Sequence, residues 1–95
     1  MLVVAGCGSV GYTKAGGDRG TGKELFTQKC GSCHTLADAG TTGKVGPNLD
    51  EAKPAKERVL DRVTNGKGVM PPFEGQLTDA QIEAVAEYVT SVAGT

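Results

Sequence analysis

The sequence predicts an all-α domain in which three main helices are wrapped around one bound group. Three segments carry apolar residues at helical spacing, and no run alternates apolar and polar residues as a half-buried strand does. The connecting loops are long and rich in Gly and Pro, which in a compact domain is typical of chain that surrounds something. Because the 95 residues include no Trp, two Phe and two Tyr, side chains alone would form only a small core.

Residues 1–20 are predicted to lie outside this domain, which then spans residues 21–95. They begin with a short apolar run, and VAGC at residues 4–7 is similar to a bacterial lipobox. Six residues before Cys7 are fewer than a full signal contains, so we expect either a truncated signal with a lipid on Cys7 or a chance match with a stray thiol. Residues 8–20 are Gly-rich and are predicted to be a flexible linker.

The first helix is predicted from Thr21. One face carries residues at steps of four, four and three, namely Gly22, Phe26, Cys30 and Cys33. Both thiols are therefore expected to point into the domain.

The second helix is predicted to begin near Pro54, because proline is favoured in a first helical turn, and to end at Asn65-Gly66. Its apolar residues are Val59, Leu60 and Val63. The spacing indicates a short amphipathic helix.

The third helix has the clearest pattern. Thr78 and Gln81 form a capping-box pair at its start. Its apolar face comprises Ile82, Val85, Ala86 and Val89, and the opposite face carries Glu83 and Glu87.

The charge distribution argues against nucleic acid as a partner. The formal net charge is −1, and no basic stripe interleaved with aromatic residues is present. Residues 41–70 hold six basic and four acidic side chains, whereas residues 71–95 hold four acidic and no basic ones. This asymmetry predicts either a surface that orients a protein partner or an ordinary solvated helix face.

The sequence CGSCH at residues 30–34 contains two of the three cysteines and the only histidine. C-x-x-C-H is the attachment signature of c-type haem. The thiols of Cys30 and Cys33 would add across the two vinyl groups at one porphyrin edge, and His34 would then reach the iron.

Three other interpretations of these residues are weaker. A structural zinc ion needs four ligands, and three are available locally. A thioredoxin-like redox pair needs a βαβ setting, which the helical pattern does not provide. The third alternative is a plain structural disulfide.

The second axial ligand is predicted to be Met70. No other histidine exists, and the remaining thioether, Met1, belongs to the predicted signal. Gly66 and Gly68 allow the loop before Met70 to turn, and the two prolines after it restrict the backbone, so the sulfur can be held at one point. The alternative is a methionine that fills the core.

These motifs together resemble a class I cytochrome c of the short bacterial single-haem kind. The resemblance covers roughly residues 21–92 and depends on CGSCH, on GPNL at residues 46–49 and on GVMPPF at residues 68–73, with Gly22 and Phe26 in the first helix and Tyr88 in the last. It implies that the Pro47 carbonyl accepts a hydrogen bond from the ligand histidine. It also implies contact between the first and last helices near Gly22.

The predicted function is that of a one-electron carrier between respiratory redox partners, and not of an enzyme, because His34 and Met70 together would leave no open position on the iron. Two alternatives are a fixed haem c subunit of an oxidase or dehydrogenase complex, and a haem enzyme or gas sensor with a labile sixth ligand. We expect a monomer in the periplasm or on the outer face of the cytoplasmic membrane, held there if Cys7 bears lipid.

Overall fold

The computed structural model describes residues 19–95. Within that range the chain forms four α-helices: α1 Arg19–Lys29, α2 Leu49–Ala52, α3 Lys56–Asn65 and α4 Asp79–Val92. A 3₁₀ helix, Ala37–Ala39, lies between two short antiparallel strands, β1 Thr35–Leu36 and β2 Thr41–Thr42. The three longest helices are the predicted ones, so the all-α prediction is confirmed. The lipobox, Cys7 and residues 8–18 of the predicted linker lie outside the described residues.

The first helix differs from its prediction at both ends. It begins at Arg19, two residues before the predicted boundary, and ends at Lys29, so the prediction that Cys30 and Cys33 lie on one face of this helix is wrong. Both cysteines nonetheless face the interior of the domain, as predicted. The Phe26 carbonyl accepts from the backbone N–H groups of both Cys30 (2.8 Å) and Gly31 (2.9 Å), which closes the last helical turn. Cys33 follows in a separate turn, where its N–H donates to the Cys30 carbonyl over 3.1 Å.

Helices α1 and α4 cross in close contact at Gly22. A Cβ atom on Gly22 would overlap the carbonyl oxygen of Ala84 and would lie 2.7 Å from Cβ of Tyr88, so only glycine permits this approach. The rings of Phe26 and Tyr88 then meet with their centroids 6.1 Å apart. This crossing, which the resemblance implied, is present in the structure.

The Tyr88 hydroxyl extends the same contact to the 3₁₀ helix. It donates a 2.6 Å hydrogen bond to Oδ2 of Asp38, while the ring is almost completely buried. Burial, and after it this bond to the carboxylate, raises the pKa of Tyr88 well above its ordinary value. At neutral pH the hydroxyl therefore stays protonated and keeps donating to Asp38.

Helix α4 begins with the predicted capping box. The Gln81 N–H donates to Oγ1 of Thr78 over 3.1 Å, and the Thr78 N–H donates to Oε1 of Gln81 over 2.8 Å. The predicted apolar face is buried throughout and consists of Ile82, Val85, Ala86 and Val89.

The outer face of α4 pairs with the start of α3. Lys56 forms ion pairs with Glu83 and, over 3.3 Å, with Glu87, and hydrogen bonds to these two carboxylates raise the pKa of the lysine. Helix α3 begins two residues after Pro54, with Ala55 as its N-cap, and Gly66 ends it at a φ of 72° as predicted. Among residues 19–95 no helix is both long and apolar enough to cross a membrane.

The sequence patterns did not predict α2 or the two strands. Helix α2 has four residues, too few to show a helical period, and it forms because the Asn48 side chain accepts from the N–H groups of Asp50 (2.9 Å) and Glu51 (3.3 Å). The strands have two residues each, so they show no alternation either. Both elements shape the loop that follows His34.

Candidate cofactor site

A cavity of about 510 Å³ lies between α1, α3, α4 and the two long loops. Its volume is within the range of cofactor sites. Apolar side chains from all three long helices line it, among them Phe26, Val59, Val63, Val85 and Val89, with Phe73 from the second loop. Cys30, Cys33, His34, Pro47 and Met70 also line it, so the structure brings every predicted site residue to one cavity.

The two thiols differ in their surroundings. Cys30 is buried, whereas Cys33 is partly exposed. Burial, and secondarily the neighbouring Cys33, raises the pKa of the Cys30 thiol to about 11. A redox-active pair needs a thiol with a lowered pKa, so this environment argues against the thioredoxin-like interpretation.

Neither of the other two alternatives fits the site. Cys30 and Cys33 are free thiols and do not form a disulfide. Within the described part of the chain no group of three or more His, Cys, Asp or Glu side chains is placed to hold a metal ion.

His34 is fixed by the loop that carries Pro47. Its Nδ1 lies 2.9 Å from the Pro47 carbonyl oxygen, which can only accept, so Nδ1 carries the proton and Nε2 keeps its lone pair. A Cβ atom on Gly46 would lie 2.6 Å from Cε1 of the imidazole, so the bare Gly46 backbone packs against the ring. The Gly46 N–H in turn donates to the Cys33 carbonyl over 2.7 Å. The ring is thus held in one orientation and tautomer.

Met70 stands at the end of a tight loop after α3. Lys67 and Met70 exchange two backbone hydrogen bonds, each 3.0 Å long, and Gly66 and Gly68 before and within this turn have φ values of 72° and 60°. The Phe73 N–H ties the following chain to the Val63 carbonyl of α3 over 2.8 Å. Met70 also packs at the edge of the core, so it touches core side chains while its side chain lines the cavity.

The charged side chains that line the cavity are all basic. Among the described residues that line it, four are cationic, namely Lys29, Arg58, Arg62 and Lys67, and none is acidic. Two valines at the same cavity are strongly exposed, Val45 at 67 % and Val69 at 81 %. The lining of the cavity thus combines two exposed apolar side chains with four positively charged ones.

The donor set fits a c-type haem. Two free thiols, an imidazole with its Nε2 lone pair available and a thioether line one apolar cavity, and this is the combination such a group requires. Fold and site together define a class: a small helical protein built around a covalently attached haem.

Comparison with known proteins agrees with this class. A family model described as cytochrome c oxidase, cbb3-type, subunit III matches residues 17–89. Cytochrome c6 of Leptolyngbya boryana is 37 % identical over 76 residues, which cover 76 % of this chain and 89 % of that protein. The chain belongs to the cytochrome c family.

Two solved structures have the same fold. The c-type cytochrome SorU from Sinorhizobium meliloti is 56 % identical, with a TM-score of 0.76 over 80 % of this chain and 91 % of that one. Cytochrome c6 from the diatom Phaeodactylum tricornutum is 34 % identical, with a TM-score of 0.67 over 81 % and 95 % of the two chains. The protein is therefore an electron-carrier cytochrome c with one covalently attached haem c, and it exchanges electrons with redox protein partners.

Sequence reasoning did not find three features of this site. Val45 and Val69 are isolated in Gly-rich loops, where a single valine carries no pattern. Arg58 lies on α3 among other charged residues, and only the packing of α3 shows that it borders the cavity. Helix α2 did have a usable signal, because Asn48 followed three residues later by Glu51 is a helix N-terminus signature.

Proposed function

We propose that the protein shuttles single electrons between respiratory redox partners outside the cytoplasm. In this proposal Cys30 and Cys33 bind the haem covalently, and His34 and Met70 are its axial ligands. The observation that carries the proposal is the convergence of these four side chains on one apolar cavity. When bound, the haem supplies a one-electron couple whose potential His/Met ligation raises.

The chain's own residues explain why a carrier is favoured over an enzyme. The apolar lining excludes water, and the rigid Lys67–Met70 turn presents the thioether at a fixed position. The Pro47 carbonyl fixes the imidazole ring and makes it a stronger donor. If His34 and Met70 both bind the iron, it would have no open position for a substrate or oxygen.

The exposed valines and the surrounding cations are the proposed docking surface for redox partners. Val45 and Val69 provide an apolar centre beside the cavity, and Lys29, Arg58 and Lys67 border it. Within residues 19–95 these three cations form no ion pair. An unpaired cation attracts an acidic partner at long range, and a small apolar contact allows rapid release, as a transient carrier requires.

Two further parts of the proposal concern location and assembly. Attachment of haem to C-x-x-C-H and the lipobox-like VAGC at residues 4–7 both support a position outside the cytoplasmic membrane, with a lipid on Cys7 as the anchor. We further propose that the protein is a monomer, since a shuttle has to leave one partner before it meets the next.

A second candidate function is favoured by one comparison. The matching family model is described as subunit III of a cbb3-type cytochrome c oxidase, so the chain could serve as a fixed subunit of such a complex. A fixed subunit would copurify with an oxidase from mild detergent at high salt. A shuttle would separate from its partner under these conditions.

The axial ligands are tested with Met70→Ala and, as a matched control in the same loop, Val69→Ala. Met70→Ala should retain covalent haem on a denaturing gel, have a lower reduction potential, and bind carbon monoxide readily, because the thioether that favours reduced iron is lost. Val69→Ala should match the wild type in all three measurements. An unchanged spectrum in Met70→Ala would show that another group is the sixth ligand.

The docking surface is tested with small redox reagents of opposite charge. Lys67→Gln should slow oxidation by anionic hexacyanoferrate and speed oxidation by a cationic cobalt complex, and both effects should fade at high salt. Lys23→Gln removes the same charge away from the cavity and should change neither rate by more than a small factor. Equal effects of Lys67→Gln and Lys23→Gln on the oxidation rates would mean that the rate depends on net charge and not on the position of the charge, which would contradict the proposed docking surface.

A further inference from the structure

Two hydrogen bonds join the same pair of chain segments at matching positions. Nδ1 of His34 lies 2.9 Å from the carbonyl oxygen of Pro47. Three residues further along both segments, the Ala37 N–H donates to Oδ2 of Asp50 over 2.8 Å. Residues 34–37 and residues 47–50 are thus joined at two points, and Asp50 forms the second of them.

Asp50 also joins this pair of segments to the end of the fold. Its Oδ1 accepts from the N–H of Gly94 over 2.8 Å, immediately after the C-cap of α4. Its own N–H donates to Oδ1 of Asn48 over 2.9 Å, which holds it in the first turn of α2. One carboxylate therefore connects the 3₁₀ helix, α2 and the end of α4.

We propose that Asp50 is a positioning residue for the axial histidine. By holding the Ala37 and Pro47 segments together, its carboxylate keeps the Pro47 carbonyl within hydrogen-bond distance of His34. This inference rests on the proposed ligation by His34. The bond at Nδ1 makes the imidazole a stronger donor, and a stronger donor stabilises oxidised iron, so Asp50 also holds the reduction potential down.

The position requires a carboxylate. An ionised carboxylate offers two acceptor oxygens, and here each accepts from one backbone N–H group. Asparagine has one acceptor oxygen, so it can satisfy Ala37 or Gly94 but presents its own donor to the other. Alanine satisfies neither. The two N–H donors, that of Gly94 first, lower the pKa of Asp50, as expected for a charge that both stabilise.

The test compares Asp50→Ala and Asp50→Asn with the wild type, all with haem attached. The matched control is Glu51→Ala, which removes the same charge from the neighbouring exposed position of α2 and leaves both Asp50 hydrogen bonds in place. Two quantities are measured at neutral pH: hydrogen exchange of the His34 Nδ1 proton by NMR, and the reduction potential. In Asp50→Ala we expect exchange roughly tenfold faster and a higher potential, with Asp50→Asn intermediate and Glu51→Ala unchanged.

A merely structural role for Asp50 would lower the melting temperature and leave the exchange rate and the potential at their wild-type values, and that result overturns the inference. Should Asp50→Ala fail to fold, Asp50→Asn retains one of the two bonds and is judged by the same readouts. Failure of the proposed ligation looks different, because the His34 ring signals of the wild type would then lack the large shifts of an iron ligand.

Discussion

At the scale of single residues, hydrogen bonds to backbone groups set the tautomer of His34 and the charge of Asp50. The Pro47 carbonyl places the proton on Nδ1 of His34, and the N–H groups of Gly94 and Ala37 keep Asp50 ionised. These bonds are short and come from rigid turns, so the side chains have little freedom to adopt other states. Main-chain geometry therefore largely determines how the side chains of His34 and Asp50 are held.

The lowered pKa of Asp50 predicts acid sensitivity. A carboxyl group whose folded pKa lies below its ordinary value of 3.8 contributes stability above that value, and this contribution is lost as the pH falls through the folded pKa. The melting temperatures of wild type and Asp50→Asn should thus differ at pH 6, and the difference should shrink as the pH falls below 3.8 and through the lowered pKa of Asp50. Titratable groups that lie near Asp50 include Lys53, Asp38 and Tyr88.

Thermal unfolding of the haem-bound protein at several pH values checks this prediction. Asp61→Asn is the control, since it leaves the Asp50 contacts and these three neighbouring groups intact. A difference between wild type and Asp50→Asn that does not shrink as the pH falls below 3.8 would contradict the prediction.

At the scale of elements, the crossing of α1 and α4 holds the first and last parts of the domain together. The contact is close because Gly22 has no side chain, and it buries Phe26 against Tyr88. Helix α1 leads directly into the turn that carries the two thiols. The crossing therefore also positions the turn that carries Cys30 and Cys33 relative to α4.

Gly22→Ala should destabilise the protein although alanine is the better helix former. The added Cβ would overlap backbone atoms of α4, which cannot move aside as a flexible side chain can. Overpacking of this kind costs about 1–3 kcal/mol, more than the roughly 0.5–1 kcal/mol gained in helix propensity. Denaturant unfolding measures the difference.

Glu24→Ala, an exposed substitution on the same helix, should change the free energy of unfolding by no more than about 0.5 kcal/mol. A Gly22→Ala variant as stable as the wild type would contradict the prediction, because α1 and α4 would then move apart without loss of folding free energy.

At the scale of the whole molecule, the cofactor is part of the core. Apolar side chains from α1, α3, α4 and the second loop face the same cavity of about 510 Å³, where they would contact a bound haem in place of one another. Protein interiors are close-packed, so the fold depends on that contact for much of its apolar burial. Folding and haem attachment are then coupled.

A chain made without haem attachment, for instance with Cys30 and Cys33 both changed to Ala, should remain largely unfolded. Three helices with few large apolar residues cannot offset the entropy of ordering the chain. Circular dichroism during heating measures this, with the haem-bound wild type as the control that melts cooperatively. A cooperative transition in the haem-free chain would refute the prediction.

Local patterns in the sequence were enough for the features that depend on neighbouring residues. The capping box at Thr78, the end of α3 at Gly66 and the apolar face of α4 all followed from spacing, because helix formation and its termination involve residues within about four positions of one another. The C-x-x-C-H motif indicated its chemistry for the same reason. The end of α1 was predicted wrongly, since apolar periodicity alone does not show where Gly31 and the Phe26 carbonyl close the last turn.

The sequence by itself therefore determined the helical class, the haem chemistry and the residues that are candidates for it. Only the tertiary structure decided which distant groups meet: the carbonyl of Pro47 at His34, the carboxylate of Asp50 between Ala37 and Gly94, and the cations that line the same cavity as Val45 and Val69. Contacts across 13 or 44 positions leave no periodic trace in the chain, because they arise from how the loops pack and not from local backbone geometry.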